Sequence, residues 1–293
     1  MQNEQASRTA LLIAASAVLL HGDPKYSHLV PQASADFCAN VLETYSSQTR
    51  SLLKILRQSW LRPIARLIEQ ITIPGILLHY ALRKRCIATL ARSALINGAT
   101  QVVVIGAGFD PICLELRRDF ANTQFWELDH PATQRHKLRM FADIGAERVH
   151  FVAMDLSANA FDTQALIDSS FDPTRRTCWI AEGLLMYLTP EVVSSLMKTI
   201  EDLSAPGSTF VFTFMEKQTD NRIRFHRQSG IVDWWLRRRG EPFLWGTTRA
   251  ELVEFARPWR GARFFDDNDL REVEPTVNNE RIASGEVICL AEI

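Results

Sequence analysis

Gln101-Val-Val-Val-Ile-Gly-Ala-Gly-Phe-Asp110 decides how the whole chain is read. Val102 to Ile105 are all β-branched, the composition of a strand buried on both faces, as in a parallel sheet. The strand runs into Gly106-Ala107-Gly108. Without a Cβ, backbone there can turn sharply and approach a ligand closely. A helix-like segment, 111 to 120, follows at once. Strand, glycine turn and helix open a nucleotide-binding α/β unit.

The turn limits which nucleotide fits. A dinucleotide fingerprint needs a third glycine three residues after the second, and Pro111 stands there. No Walker lysine follows, which excludes a P-loop. Gly-x-Gly with an acid beyond it suits S-adenosylmethionine, which has no phosphate to cradle. By itself the turn is equally that of a plain α/β protein, so the later strand ends must decide.

The chain has 293 residues, 46% hydrophobic and 23% charged, which allows one large domain or one domain with additions. A net charge of −1 implies no general attraction to nucleic acid or to an anionic membrane. Cys38, Cys86, Cys113, Cys178 and Cys289 are scattered, with no Cys-x-x-Cys pair. That pattern argues for a reducing, cytoplasmic setting and against a metal site. The apolar run from Ala10 to Leu20 is too short to span a bilayer. Glu4 and Arg8 give it no positive excess, so it reads as a helix and not as a signal peptide.

Residues 1–20 read as that helix, broken at His21-Gly22-Asp23-Pro24. Residues 34–98 read as helical, interrupted at Pro63 and Pro74. The last helix, 76–95, carries Arg83-Lys84-Arg85 and ends at Asn97-Gly98. Residues 1–98 are therefore expected to form an N-terminal helical cap over the ligand edge. From 101 onward strands and helices alternate, which predicts a parallel, doubly wound sheet within a 99–293 core. Strands are expected at 101–106, 124–129, 149–154, 177–181 and 209–215. Helices are expected at 111–120, from Pro131 to before Gly145, at 161–169, and from Pro190. Thr189 would cap the last of these, with Val192, Leu196, Ile200 and Leu203 on its buried face. Residues 217–246, rich in Arg and Trp, read as an insertion. A helix at 249–255 and strands at 262–265 and 285–292 finish the chain, giving seven strands.

Ligands of doubly wound sheets bind at the carboxyl ends of the strands. The first strand ends at Gly106 and Gly108, with Asp110 beyond. The second ends at Asp129, about 20 residues past the glycines, the spacing at which a carboxylate reaches ribose hydroxyls. The third ends at Asp155-Leu156, an acceptor for an adenine amino group beside an apolar wall. The fourth ends at Glu182. Each acid alone reads as readily as a helix cap. Their joint position is the signal, and an anionic rim suits a sulfonium cation.

Val104-Ile-Gly-Ala-Gly-Phe-Asp110, Glu127-Leu-Asp-His-Pro-Ala-Thr-Gln134 and Ala181-Glu-Gly-Leu-Leu-Met-Tyr-Leu-Thr-Pro190 resemble the motifs of the leucine carboxyl methyltransferase family. That family includes enzymes esterifying the C-terminal leucine of protein phosphatase catalytic subunits, and bacterial enzymes that O-methylate small metabolites. The resemblance implies a Rossmann-like class I methyltransferase with a mostly parallel seven-stranded sheet whose last strand enters antiparallel. It implies S-adenosyl-L-methionine as cofactor and S-adenosyl-L-homocysteine as product. Position by position, it makes Arg83 the partner of the cofactor carboxylate and puts Gly106 beside the methionine part. Asp129 would hold the ribose, Asp155 and Leu156 the adenine, and Glu182 would stand near the active centre. Thr9-Ala10 and Asp23-Pro24 resemble a lid segment, with Arg8 its one nearby cation. No catalytic residue is assigned, since positioning is expected to do the work, and Tyr187 is a candidate beside the site. The chain departs from many bacterial members at Pro111-Ile112, where they carry Thr-Arg, and its 217–246 segment matches no family motif.

The expected function is O-methylation of a carboxylate or acidic hydroxyl on a small metabolite, acidic or carrier-bound, with no nucleic-acid or membrane partner. A carboxylate, with a pKa of about 4, needs no general base. His79, His130 and His226 are candidate bases but read better as structural. Arg237-Arg238-Arg239 reads either as an anion clamp or as a solvated face with its tryptophans turned inward, the second being favoured. The competing functions are a protein C-terminal carboxyl methyltransferase and a non-catalytic cofactor-binding module. A nicotinamide oxidoreductase is disfavoured by the missing glycine.

Overall fold

The valine run lies at the centre of the sheet. β1 (Gln101–Ile105) is buried throughout and pairs in parallel with β2 (Gln124–Asp129) and β4 (Thr177–Ala181). β3 (Val149–Ala153) and β5 (Thr209–Met215) extend the parallel sheet outward on either side. β7 (Glu286–Glu292) runs antiparallel between β5 and β6 (Arg260–Phe265). The order is therefore β3-β2-β1-β4-β5-β7-β6. Chain direction across the sheet reverses at β1, which opens a crevice at the carboxyl ends of β1 and β4. The computed structural model describes residues 7–144, 148–156, 161–255 and 259–293.

The helices are α1 (Arg8–His21), α2 (Gln32–Tyr45), α3 (Ser47–Leu56), α4 (Arg62–Thr72) and α5 (Ile76–Ile96), then α6 (Ile112–Asp119), α7 (Pro131–Ile144), α8 (Thr163–Asp168) and α9 (Pro190–Asp202). α10 (Gly230–Arg239), α11 (Arg249–Phe255) and α12 (Asp267–Val273) complete the set. Alternation along β1 sends its residues to opposite faces. Val102 and Val104 pack with Leu82 and Ile87 of α5, Leu116 of α6 and Leu270 of α12. Val103 and Ile105 pack with Leu166 of α8, Leu196 and Ile200 of α9 and Leu252 of α11.

Several expectations are corrected. α5 packs directly on the sheet and shares its core, although the sequence reading counted it with the cap. A break falls at Ser46, whose side chain accepts from the Thr49 N–H while Thr49 bonds back to the Ser46 N–H. Pro63 does not interrupt a helix but sits in the first turn of α4, where the missing N–H costs nothing. Thr189 occupies the cap position of α9 without a capping bond to the helix backbone, its side chain bonding Glu191 instead, and Val193 and Met197 join the buried face while Val192 is only half-buried. α12 lies between the last two strands, where no helix was expected. The segment at 217–246 contains α10, on which Trp234 is exposed, not turned inward. Residues 1–6 of the helix expected at 1–20 lie outside the described residues. Among the described residues no helix is long and apolar enough to cross a membrane.

Candidate active site

A cavity of about 550 Å³ opens at the carboxyl ends of the strands. Arg83, Gly106, Gly108, Asp129, Asp155, Leu156, Glu182 and Tyr187, singled out in the sequence, all line it. β1 delivers the glycines, β2 Asp129, β3 Asp155 and Leu156, and β4 Glu182. Gly106 has φ +66, and a Cβ there would stand 2.8 Å from Leu184 Cδ1. Only glycine accepts both that conformation and that closeness.

Asp129 is fixed by the backbone around it. Its carboxylate accepts from the Gly108 N–H across the crevice, and from the His130 N–H at 2.6 Å. Burial pushes its pKa up, against the pull of these donors and of Lys137. Neither donor belongs to the first turn of α7, whose Ala132 N–H donates to His130 Nδ1 instead. Asp129 is thus not the helix cap of the plain alternative; its two bonds hold the carboxylate at the cavity wall.

Behind the wall lies a chain of charges. Arg83, buried on α5, meets Glu182 at 2.7 Å on one side and Glu286 of β7 at 2.6 Å on the other. His79 Nε2 lies 2.8 Å from the same Glu286 carboxylate. Burial alone would raise the Glu286 pKa, but Arg83 and then His79 overcome it and hold it at about 2. Lys84 bridges Asp110 at 2.5 Å and Glu182 at 3.2 Å. Burial works against the Asp110 charge, yet Lys84 outweighs it and the pKa falls. At Glu182 burial outweighs both Lys84 and Arg83, and the pKa rises. The whole guanidinium of Arg83 is engaged, Nε and Nη2 with Glu182 and Nη1 with Glu286. Gly183 passes beside it, where a Cβ would stand 3.5 Å from Nη2.

The start of α1 is tied to the segment just past α10. Glu241, just past α10, accepts from Thr9 Oγ1 at 2.6 Å, from the Thr9 N–H at 3.3 Å and from the Arg8 N–H at 3.2 Å. A carboxylate at a helix N-terminus meets unsatisfied N–H groups and the positive end of the dipole. Glu241→Ala should release α1 by about 1.5 kcal/mol, the worth of one charge-assisted hydrogen bond. Amides 11–21 should then exchange roughly tenfold faster. Unchanged exchange would mean that α1 is held by its packing alone.

Other expectations lie off the site. Arg8 does not line the cavity, and its backbone N–H donates to Glu241. Asp23 pairs with Arg66 instead. His79 serves Glu286, and His226 bonds Ser284 Oγ at 3.0 Å. Among the described lining residues the sole histidine is His130, 3.5 Å from Asp155. No described group of His, Cys, Asp and Glu could hold a metal ion. Sequence reasoning passed over Lys84, Glu286, Lys137 and Glu241. Glu286 carried a readable signal, a charge opening an otherwise apolar strand.

Strand order, the reversed β7 and the glycine-and-acid edge define a Rossmann-like class I methyltransferase fold. A methyltransferase, provisionally so named, from Thermobifida fusca YX has this architecture. It is 13% identical, with a TM-score of 0.57, over 99% of this chain and 96% of its own. The leucine carboxyl methyltransferase profile matches residues 5–201, more than half of the sequence, and the chain belongs to that family. A relative from Mycolicibacterium smegmatis (strain ATCC 700084 / mc(2)155) is 36% identical over 163 residues, 55% of this chain and 52% of its own length. Another, from Mycolicibacterium vanbaalenii, is 39% identical over 132 residues, 44% of this chain and 42% of its own length. Both carry a provisional name as S-adenosyl-L-methionine-dependent methyltransferases. The chain spans about half the length of the curated relatives it matches.

Proposed function

We propose that the protein is an S-adenosylmethionine-dependent O-methyltransferase acting on a carboxylate or acidic hydroxyl of a small metabolite. The observation that carries this reading is the convergence of three separate motifs and one α5 arginine on a single cavity. The residues suit the cofactor. Arg83, in the lining, would take its carboxylate by sharing the Nη2 that also pairs with Glu182, Asp129 would take its ribose diol, and Asp155 with Leu156 its adenine. Bound there, the cofactor supplies an electrophilic methyl group on a sulfonium cation.

The chain's own task is then to position the acceptor and exclude water. Leu184, Leu188, Pro242 and Leu244 supply apolar lining near Tyr187. Burial drives the Tyr187 pKa up. The phenol therefore keeps its proton and can donate a hydrogen bond to the acceptor but does not serve as a base. With no histidine base on that side among the described residues, an acceptor that is already ionised at neutral pH fits best. The Thr9–Glu241 tie between two lining segments favours a small acceptor over a protein tail. A cytoplasmic setting belongs to the same reading, supported by five free, buried cysteines.

Calorimetric titration with S-adenosylhomocysteine, with NADH as control, tests the cofactor. Micromolar binding is expected. Asp129→Ala should weaken it by about 2 kcal/mol, the loss of a charged hydrogen-bond partner. Affinity for NADH instead, or an indifferent Asp129→Ala, would overturn the reading. A carboxylate acceptor would give a product that releases methanol in mild alkali; an alkali-stable ether would restrict the acceptor to hydroxyls.

A further inference from the structure

α4 is turned inside out. Its polar side faces the protein: Arg66 pairs with Asp23 and stands 5.1 Å over the Tyr26 ring. Glu69 accepts from the Leu77 N–H at 3.0 Å. Its apolar stripe, Ile64, Leu67, Ile68 and Ile71, points outward and continues back to Trp60. That spacing makes one helix face, yet no residue of α4 is buried.

The face does not end with α4. The Ser229 N–H donates to Thr72 O at 2.9 Å, which sets the start of α10 against the end of α4. α10 adds Ile231 and Trp234. These seven apolar side chains are 50% to 70% exposed, so they stand proud as ridges and line no groove. Exposed cations bracket them: Lys54 and Arg57 on one side, Arg237, Arg238 and Arg239 on the other. Arg238 lies 5.4 Å over the Trp234 ring. Among the described residues none of these five cations is in an ion pair. The acids on these helices are otherwise engaged, Glu69 with Leu77 and Asp233 with Gln228.

We propose that this face docks the protein peripherally on an anionic lipid surface. A net charge of −1 argued against a membrane partner, but the charge is unevenly spread and the cations collect around the exposed apolar ridge. Aliphatic and Trp side chains flanked by Arg and Lys match an interface that is apolar beneath and anionic above. A second copy of the chain is disfavoured, because a two-fold contact would bring these cations close to their own copies. A partner helix would need a groove, whereas side chains this exposed project from the surface. α10 runs about 15 Å from this face to Gly240 and Glu241 in the cavity lining. Docking would thus bring the cavity within one short helix of the headgroups.

Flotation with lipid vesicles tests the proposal. The full chain should float with vesicles of equal parts phosphatidylcholine and phosphatidylglycerol, and should stay behind with phosphatidylcholine alone. Leu67→Glu with Ile71→Glu should lower vesicle binding by about tenfold or more while leaving the melting temperature unchanged. Arg237→Gln with Arg238→Gln, which leaves α4 intact, should lower it as well and decides the matter if the first variant fails to fold. Equal binding by both variants, or no binding to anionic vesicles, overturns the proposal. So does a wild-type dimer in sedimentation that the α4 variant converts to monomer, since the face would then belong to a second copy.

Discussion

Lys137→Met should destabilise the fold by about 3–5 kcal/mol, the cost of leaving a buried charge without its partner. Lys137 of α7 and Glu127 of β2 meet at 2.5 Å, with side chains only 2% and 1% exposed. The contact is one of charge and lacks hydrogen-bond alignment. Burial raises the Glu127 pKa, and Lys137 opposes it. Without the lysine, Glu127 must take up a proton or remain as an isolated anion, and either costs free energy. Adding Glu127→Leu should restore most of the loss, because apolar side chains of similar size commonly replace a buried pair at little cost. Denaturant midpoints of the two single variants and the double variant measure this. A single variant that loses under about 1 kcal/mol would show that water or another group already serves Glu127.

Lys137 has a second task that links this pair to the cavity. Its Nζ donates to Asp110 O at 2.7 Å, and Asp110 is the acid just beyond the glycine turn. The double variant should therefore regain stability yet bind S-adenosylhomocysteine less well than wild type, since the Asp110 turn has lost its tether. Recovery of both would confine the pair to the core.

Legibility in the sequence followed the range of the forces involved. β2, β4 and β5 stand at the residues the sequence indicated, because apolar runs bounded by turn residues are local signals. β1 stops one residue early, as Gly106 already has a left-handed φ. The break at Ser46 was hidden, since its capping partner is Thr49 and not the Glu or Gln of the usual pattern. At the site, the strand-end acids were legible because parallel topology alone brings such ends to one edge. Glu241 and Lys84 were not. Their meaning rests on partners 232 and 98 residues away, which no periodicity reports. α4 was legible as a helix, but its outward apolar face was not, because a stripe in sequence does not say which side faces the core.

Glu286→Gln should have the other large effect, and pH should reveal it. Glu286 has a pKa of about 2 in the folded protein against about 4.3 in an unfolded chain. A depressed acid contributes stability that is fully present above its unfolded value and is lost as pH falls through its folded value. Glu286 should thus contribute roughly 3 kcal/mol near neutrality, fading between about pH 4.5 and 2. The amide variant should lose about that much at pH 7 and show a flatter decline below about pH 4.5. Asp110, also depressed, leaves it some residual slope. Parallel curves for variant and wild type would mean that Arg83 and His79 do not hold Glu286 ionised. Cofactor affinity separates support from mere stability. Arg83 would keep Glu182 but lose the partner that fixes its Nη1, so the guanidinium would be free to shift in the cavity wall. S-adenosylhomocysteine binding should then fall about tenfold, as for a charged contact displaced from its ligand. Binding that stays intact in a destabilised variant would place Glu286 in the fold alone and leave Glu182 as the one carboxylate that aims Arg83.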